Sequence, residues 1–341
     1  MDSPKTLGAI VIKAFSRLRA LSILKAFSQL RALSVLRALS VLRALSLSIL
    51  LMFSNSSLAL EQMLIFGGLG GDPVFQEDFN EQVEQIYQAG LSLGLDASQI
   101  TKLSGSDATK VNILAAISKI RADSDDLLQV HLIGHGSFDG NNYKFNIPGP
   151  DISANELAEA LNQLNGNQMV AVMTSASGAA MQPLKNDSRL VITATRTGLQ
   201  KNASVFSRYW AQGSDLSSVD LNKNEIISIA ELYTYTQDQV TKYYESEGLI
   251  ASEASLIEGP ESIDADLFSL SRIGQLANTS LSAEVESLIA ERAEVETKLS
   301  ELSGRRQDLS EDEYFSELQN LMLELGLLQR QIDNELGTTD E

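Results

Sequence analysis

Short apolar runs alternate with segments of helical periodicity along residues 62–257, and this alternation predicts the fold class. Five apolar runs are typical of buried strands, at 63–66, 100–103, 127–133, 169–173 and 190–194. Apolar residues recur every three or four positions over 77–93, 109–121 and 154–164, which is the spacing of helices. We therefore expect an α/β fold, in which helices cover both faces of a mainly parallel sheet and form a three-layer sandwich.

Beyond this region the periodicity changes. Residues 258–280 are weakly patterned, and we interpret them as a linker. Residues 281–336 then carry apolar side chains in steps of three and four, interrupted near Ser310 and Glu313, which form a capping box. The pattern predicts a C-terminal α-helical hairpin, or the helices of a coiled coil that joins copies into a homo-oligomer. Arg292 falls on the apolar seam, where it could set the register or extend from its edge into solvent.

The first 59 residues have a different composition. Six hexads repeat over 11–46, and a step of six residues spirals around a helix, so no coiled-coil face forms. A basic stretch, an apolar run at 45–53 and the small-x-small sequence ending at Ala59 are typical of a secretory signal. We expect cleavage near Ala59 and a periplasmic or secreted protein. An uncleaved anchor, an organellar address or a misassigned start are the alternatives.

Composition narrows the function classes. The 341-residue chain has no cysteine, which excludes disulfides and thiol catalysis. Its net charge is −19, although residues 1–60 hold eight Lys/Arg and one acid. The remainder is thus strongly acidic, which disfavours nucleic acid partners and suits a solvated surface or cation binding. No apolar 18-residue run follows the leader, so we expect no membrane span in the mature chain.

Two polar motifs directly follow predicted strands. His135 stands between two glycines after the strand at 127–133, and Ser175 follows the strand at 169–173. The carboxyl ends of parallel strands meet at one edge of a sheet, where ligand sites form. An imidazole open to a cleft can exchange protons near neutral pH. The only other histidine, His131, lies within a strand, and we expect it to be buried in the core.

The order of these pieces resembles the caspase and legumain group of cysteine peptidases. That group has a strand ending in His-Gly, then a helix, then a strand ending in Cys-x-Ser-Gly. Here Ser177 and Gly178 match the Ser-Gly pair, and Ser175 stands at the cysteine position. The resemblance covers about 62–257, and residues 190–198 resemble the strand whose end lines the specificity pocket.

This resemblance implies a caspase-like sandwich with His135 as base, Ser175 as nucleophile and the Gly136 N–H as oxyanion donor. A serine hydroxyl is far less acidic than a thiol and needs a close, oriented base. We therefore expect an impaired catalytic centre and a module that binds a polypeptide or protein partner. The alternatives are an active serine hydrolase, and an assembly protein with a vestigial cleft.

Residues 220–231 carry oxygen ligands at the positions of an EF-hand loop. The predicted Ca²⁺ ligands are Asp220, Asn222, Asn224, the carbonyl of Ile226, Ser228 and Glu231. Position six, normally glycine, is Glu225, so we expect weak binding. The alternative is a polar turn before a capped helix. The glycine-rich loop at 67–71 lacks a Walker lysine and predicts a tight turn rather than a phosphate site.

Overall fold

The computed structural model describes residues 61–121, 126–251 and 253–337. The hexads and the proposed signal at 1–59 lie outside the described residues. The main strands are β1 (Glu61–Gly67), β2 (Ile100–Leu103), β3 (Leu127–Gly134), β7 (Asn167–Thr174), β8 (Arg189–Thr193) and β10 (Leu256–Glu258). Shorter strands are β4 (Gly136–Phe138), β5 (Tyr143–Phe145), β6 (Ile152–Ser153), β9 (Ile226–Ser228) and β11 (Ser269–Arg272).

The helices follow the predicted order. They are α1 (Pro73–Leu93), α2 (Lys110–Lys119), α3 (Ala154–Leu161), α4 (Met181–Leu184), α5 (Phe206–Gly213), α6 (Ile229–Ser246), α7 (Gly274–Asn278), α8 (Ala283–Gly304) and α9 (Glu311–Leu336). The predicted capping box at Ser310, which begins α9, is confirmed, and a second box at Ser153 begins α3. Within the described ranges, no helix has the length and apolar character that a membrane crossing needs.

The central sheet has six strands in the order β2-β1-β3-β7-β8-β10. All neighbours are parallel except β10, which runs antiparallel to β8 at the edge. Two smaller antiparallel sheets, β4-β5-β6 and β9-β11, flank it. The prediction of an α/β fold with a mainly parallel sheet and C-terminal helices is confirmed.

Successive side chains of the strands enter opposite cores. In β1, Met63 and Ile65 pack with α1, α5 and α6, whereas Leu64 and Phe66 pack with α2 and α3. Both faces are therefore buried, which explains why these strands are continuous apolar runs rather than alternating ones. This burial fixes the sheet as the rigid base on which the loops at its carboxyl edge are held.

The C-terminal hairpin packs against the α/β body. Helices α8 and α9 are antiparallel, and Arg305, directly after α8, forms an ion pair with Glu317 of α9 at 3.5 Å near the connection. Apolar residues at the other end form a small cluster with the body, comprising Leu276, Val285, Ile289 and Ile332. Residues 258–280, interpreted from the sequence as a linker, include β11, which pairs with β9. Association with a second copy through 281–336 stays a prediction.

Candidate active site and acidic loop

Strand register brings the two polar motifs together. Gly134 at the end of β3 pairs with Thr174 at the end of β7, so His135 and Ser175 are each the next residue along the chain. Both motifs therefore occupy the same carboxyl edge of the sheet, as the parallel topology predicted. Ser175 is buried, with 4% of its surface exposed, and His135 is partly exposed.

The Ser175 hydroxyl bonds to the main chain of Gly136 in both directions. The Gly136 N–H donates to Ser175 Oγ at 3.2 Å, and Ser175 Oγ donates to the Gly136 carbonyl at 3.0 Å. The candidate nucleophile and the candidate oxyanion donor are thus hydrogen-bonded to each other. A Cβ at position 136 would lie 2.5 Å from the Ser175 carbonyl oxygen and 2.6 Å from Thr174 Oγ1, so the site requires glycine there.

The His135 ring is held by other groups. Its Nε2 lies 3.2 Å from the carbonyl oxygen of Gly70, and Phe75 and Phe79 contact the ring edge-on with centroids at 5.0 and 5.1 Å. A carbonyl can only accept, so Nε2 is the donor in this contact. Among the described residues, no carboxylate orients this ring and no hydrogen bond joins it to Ser175.

The turn after Ser175 has an unusual backbone. Ala176 is fully buried at φ 56° and ψ 11°, in the left-handed region that residues with a side chain rarely adopt. Its N–H donates to the Gln200 carbonyl at 2.7 Å. Such strain costs on the order of 1 kcal/mol and persists where the surroundings hold it, which happens often at functional sites.

The Ser177-Gly178 pair fastens the next loop to this turn. The Thr195 N–H donates to Ser177 Oγ at 3.0 Å, and the Gly178 N–H donates to Thr195 Oγ1 at 3.0 Å. A Cβ on Gly178 would lie 2.2 Å from the main-chain carbon of Arg196, so the backbones touch here. The Ser-Gly pair therefore positions the loop 195–200 beside Ser175.

His131 is buried in the core, as the sequence predicted. It lies in β3 at 0% exposure, with Nε2 3.3 Å from Gln129 Oε1 and its ring 6.3 Å from that of Trp210. Burial away from water lowers the pKa of His131 to about 3, because the interior disfavours the charged imidazolium. The imidazole is therefore neutral at physiological pH and takes no part in the edge site.

The loop 220–231 directs its side-chain oxygens at its own backbone. Asp220 Oδ1 accepts from the Asn224 N–H at 3.2 Å, and Asp220 Oδ2 accepts from the Glu225 N–H at 3.1 Å. Asn222 Oδ1 also accepts from the Asn224 N–H, and Asn224 Oδ1 from the Ile226 N–H. Nowhere in the described ranges do three acidic or histidine side chains converge on one metal position. The Ca²⁺ assignment stays a prediction.

Two glutamates of the loop act as caps. Glu231 closes a capping box with Ser228 at the start of α6, while its other oxygen accepts from the Leu221 N–H at 2.8 Å. Glu225 has φ 61°, the conformation expected of glycine at the sixth loop position. Its carboxylate accepts from the N–H groups of Gln275 and Leu276, both at 2.9 Å. The departure from glycine thus has a structural role that the loop spacing alone did not reveal.

The glycine-rich loop 67–71 is a tight turn with its own partners. The N–H groups of Gly68, Leu69 and Gly70 donate to the Ile133 carbonyl, the Asn146 carbonyl and Gln76 Oε1. This agrees with the predicted turn, and the loop's role at the site is to present the Gly70 carbonyl to His135.

Comparison with known proteins yields structural similarity only. No family model matches the chain, and no curated protein matches it in sequence. A structural-genomics protein from Geobacter sulfurreducens is similar over 62% of this chain and 97% of its own length, with 10% identity and a TM-score of 0.41. Caspase-1 from Spodoptera frugiperda is similar over 59% of this chain and 86% of its own length, with 12% identity and a TM-score of 0.39. Similarity at this level says nothing about the chemistry of this chain.

Proposed function

We propose that the protein is a catalytically impaired member of the caspase and legumain type that recognises an extended polypeptide at the carboxyl edge of its sheet. The observation that carries the proposal is the pair of hydrogen bonds between the Ser175 hydroxyl and the main chain of Gly136. A hydroxyl engaged in this way is not held by a base, and serine is a weak nucleophile without one.

The environment of His135 supports the same conclusion. Its Nε2 proton is directed at the Gly70 carbonyl, and no carboxylate in the described part of the chain orients the ring. A serine centre works when the base bonds the hydroxyl and a third group orients the base. Neither contact is made around Ser175 by the described ranges of the chain.

Binding of a polypeptide is supported by the loop beside the turn. Residues 195–200 are fixed by the Ser177-Gly178 pair, and the Arg196 and Thr197 N–H groups both donate to Gln200 Oε1. Leu199 in this loop is 78% exposed. An ordered loop that presents an exposed apolar side chain beside the turn offers a contact for a bound polypeptide. We further propose that the leader exports the chain to the periplasm or outside the cell.

An active serine hydrolase is the second candidate. The left-handed backbone at Ala176 favours it, because strain directly after a candidate nucleophile is a feature of catalytic turns. Activity would then require a rearrangement in which Ser175 leaves Gly136 and meets the His135 ring.

A fluorophosphonate probe and a peptide library separate the two candidates. The purified chain is compared with Ser175→Ala and Ser175→Cys, with and without Ca²⁺. We expect no labelling of Ser175 and no hydrolysis by the native chain, while library peptides bind it. Peptide cleavage that Ser175→Ala abolishes would contradict the proposal.

The stability of Ser175→Ala provides a second test. Removal of the hydroxyl leaves the Gly136 N–H and carbonyl without these partners, which is expected to cost about 1–2 kcal/mol of unfolding free energy. Many catalytic residues are instead held at the expense of stability, so their removal stabilises the fold. An increase in stability on Ser175→Ala would therefore favour the hydrolase.

A further inference from the structure

Arg292 is the most deeply buried charge of the C-terminal hairpin. It lies on α8 with 1% of its surface exposed, so it does not extend into solvent from the edge of the seam. Its Nη2 donates to the main-chain carbonyl of Asn224 at 2.8 Å, and its Nη1 donates to Gln329 Oε1 on α9 at 2.6 Å. One guanidinium thus joins both helices of the hairpin to the acidic loop.

Glu296, one helical turn along α8, completes the contact. Both of its carboxylate oxygens accept from Asn224 Nδ2, at 3.1 and 3.0 Å, and Oε1 lies 3.7 Å from Arg292 Nε. Asn224 is therefore engaged through both its carbonyl and its side-chain amide. An Arg–Glu pair on one helix face recognises a donor and an acceptor of the same loop residue.

The acidic side chains of the loop attract the positive charge of Arg292. Asp220 and Glu225, together with Glu296, act on Arg292 by attraction, although burial outweighs them and lowers the pKa of its guanidinium. Desolvation likewise raises the pKa of the Glu296 carboxyl. Buried charges of this kind persist only when paired and hydrogen-bonded.

We propose that loop 220–231 is an arginine-binding site whose ligand is Arg292 of the chain's own hairpin. The guanidinium supplies the positive charge that a calcium ion supplies in loops of this spacing. The loop oxygens that would bind an ion serve the backbone, and the carbonyl of the fifth loop residue faces the arginine. Attachment of the hairpin, rather than occupancy by an ion, is then the role of the loop.

Hydrogen exchange on the purified chain tests the attachment. Arg292→Met keeps the length of the aliphatic stem and removes the donors. Arg305→Met is the matched control, since Arg305 directly follows α8 and its side chain is 57% exposed. In Arg292→Met we expect amides of α8 and α9 to exchange about tenfold faster or more, with β1, β3 and β7 unchanged. Equal protection of the hairpin in both variants would overturn the proposal.

Two further variants keep the test decisive if Arg292→Met folds poorly. Arg292→Lys retains the charge but not the forked geometry, so its hairpin protection should fall between those of the native chain and Arg292→Met. Glu296→Gln retains the shape of the side chain but loses the carboxylate, and it should reduce the protection of the same amides from exchange. If neither variant changes hairpin exchange, the loop is not the attachment site.

Calcium chloride titrated into the native chain tests the nature of the ligand. We expect the backbone NMR signals of residues 220–231 to be unchanged at millimolar calcium while the hairpin stays protected. Calcium that shifts these signals and releases the hairpin would also support the proposal, since ion and arginine would then compete. Calcium that binds the loop while the hairpin remains fully protected would overturn it.

Discussion

The buried imidazole of His131 predicts a specific acid sensitivity. Its pKa is about 3 in the folded protein, against about 6.5 in an unfolded chain. The unfolded state therefore binds a proton that the folded state rejects, and stability falls as the pH drops from about 6.5 toward about 3. A pH of about 4.5 lies about two pH units below the pKa of the imidazole in the unfolded chain. The expected loss there is about 2–3 kcal/mol of unfolding free energy.

Replacement of the imidazole by an amide should remove this sensitivity. Glutamine does not titrate, and its amide can still donate to Gln129 Oε1, the acceptor 3.3 Å from His131 Nε2. Urea denaturation at pH 7 and at about pH 4.5 gives the loss of stability for each protein. We expect the loss to be about 2–3 kcal/mol smaller for His131→Gln than for the native chain. Other titrating groups contribute equally to both proteins and cancel in the comparison.

NMR of the imidazole protons provides an independent check, because the His131 signal should not titrate between pH 7 and about pH 4.5. If His131→Gln and the native chain lose equal stability, or if His131 titrates with an ordinary pKa, the account of its burial is refuted.

Further predictions follow from four other positions and are measured by the same denaturation assay. Gly178→Ala should cost about 3 kcal/mol of unfolding free energy, because the new Cβ meets main-chain atoms. Gly326→Ala, in α9 with open space around it, should instead stabilise the protein by about 0.5–1 kcal/mol. Equal effects of the two substitutions would contradict this description of the packing. Arg189→Lys should cost about 2–4 kcal/mol, because the buried guanidinium donates to three separate acceptors that an ammonium cannot reach together; a neutral result would refute this. Glu225→Gly relieves the left-handed backbone but loses two hydrogen bonds to α7, so we expect a net loss of about 1–2 kcal/mol, and a gain would refute it.

Hydrophobic periodicity predicted most of the fold because both faces of the sheet are buried. The long strands are mostly apolar on both faces, although Gln129 and His131 interrupt β3, and each covering helix has a spaced apolar face. The pattern was therefore clear without tertiary information. The strands β4, β5 and β6 were missed because two or three residues are too few for a periodic signal. The edge strand β10, of three residues, was missed for the same reason. The four-residue strand β11 was missed because it lies in a weakly patterned segment that was interpreted as a linker.

The site was predicted as a location but not as a set of bonds. Parallel topology placed His135 and Ser175 at one edge, and the register of β3 and β7 agrees. Which partner each side chain takes depends on distant residues, such as Gly70 for the imidazole, 65 positions away. Arg292 illustrates the same limit, since its acceptor at Asn224 is 68 residues away and its seam position was compatible with two interpretations.

Steric and chemical features of the sheet edge point in different directions. Gly136 and Gly178 admit no Cβ, and Ala176 keeps a left-handed backbone, so the shape of the turn is tightly constrained. The hydroxyl at its centre is instead bonded to main-chain groups, and among the residues that the structure describes no base or carboxylate bonds it. Binding of an extended partner needs only the constrained shape of the turn, whereas hydrolysis needs that shape and an activated hydroxyl. A constrained turn without the activating contacts is therefore what the proposed binding function requires.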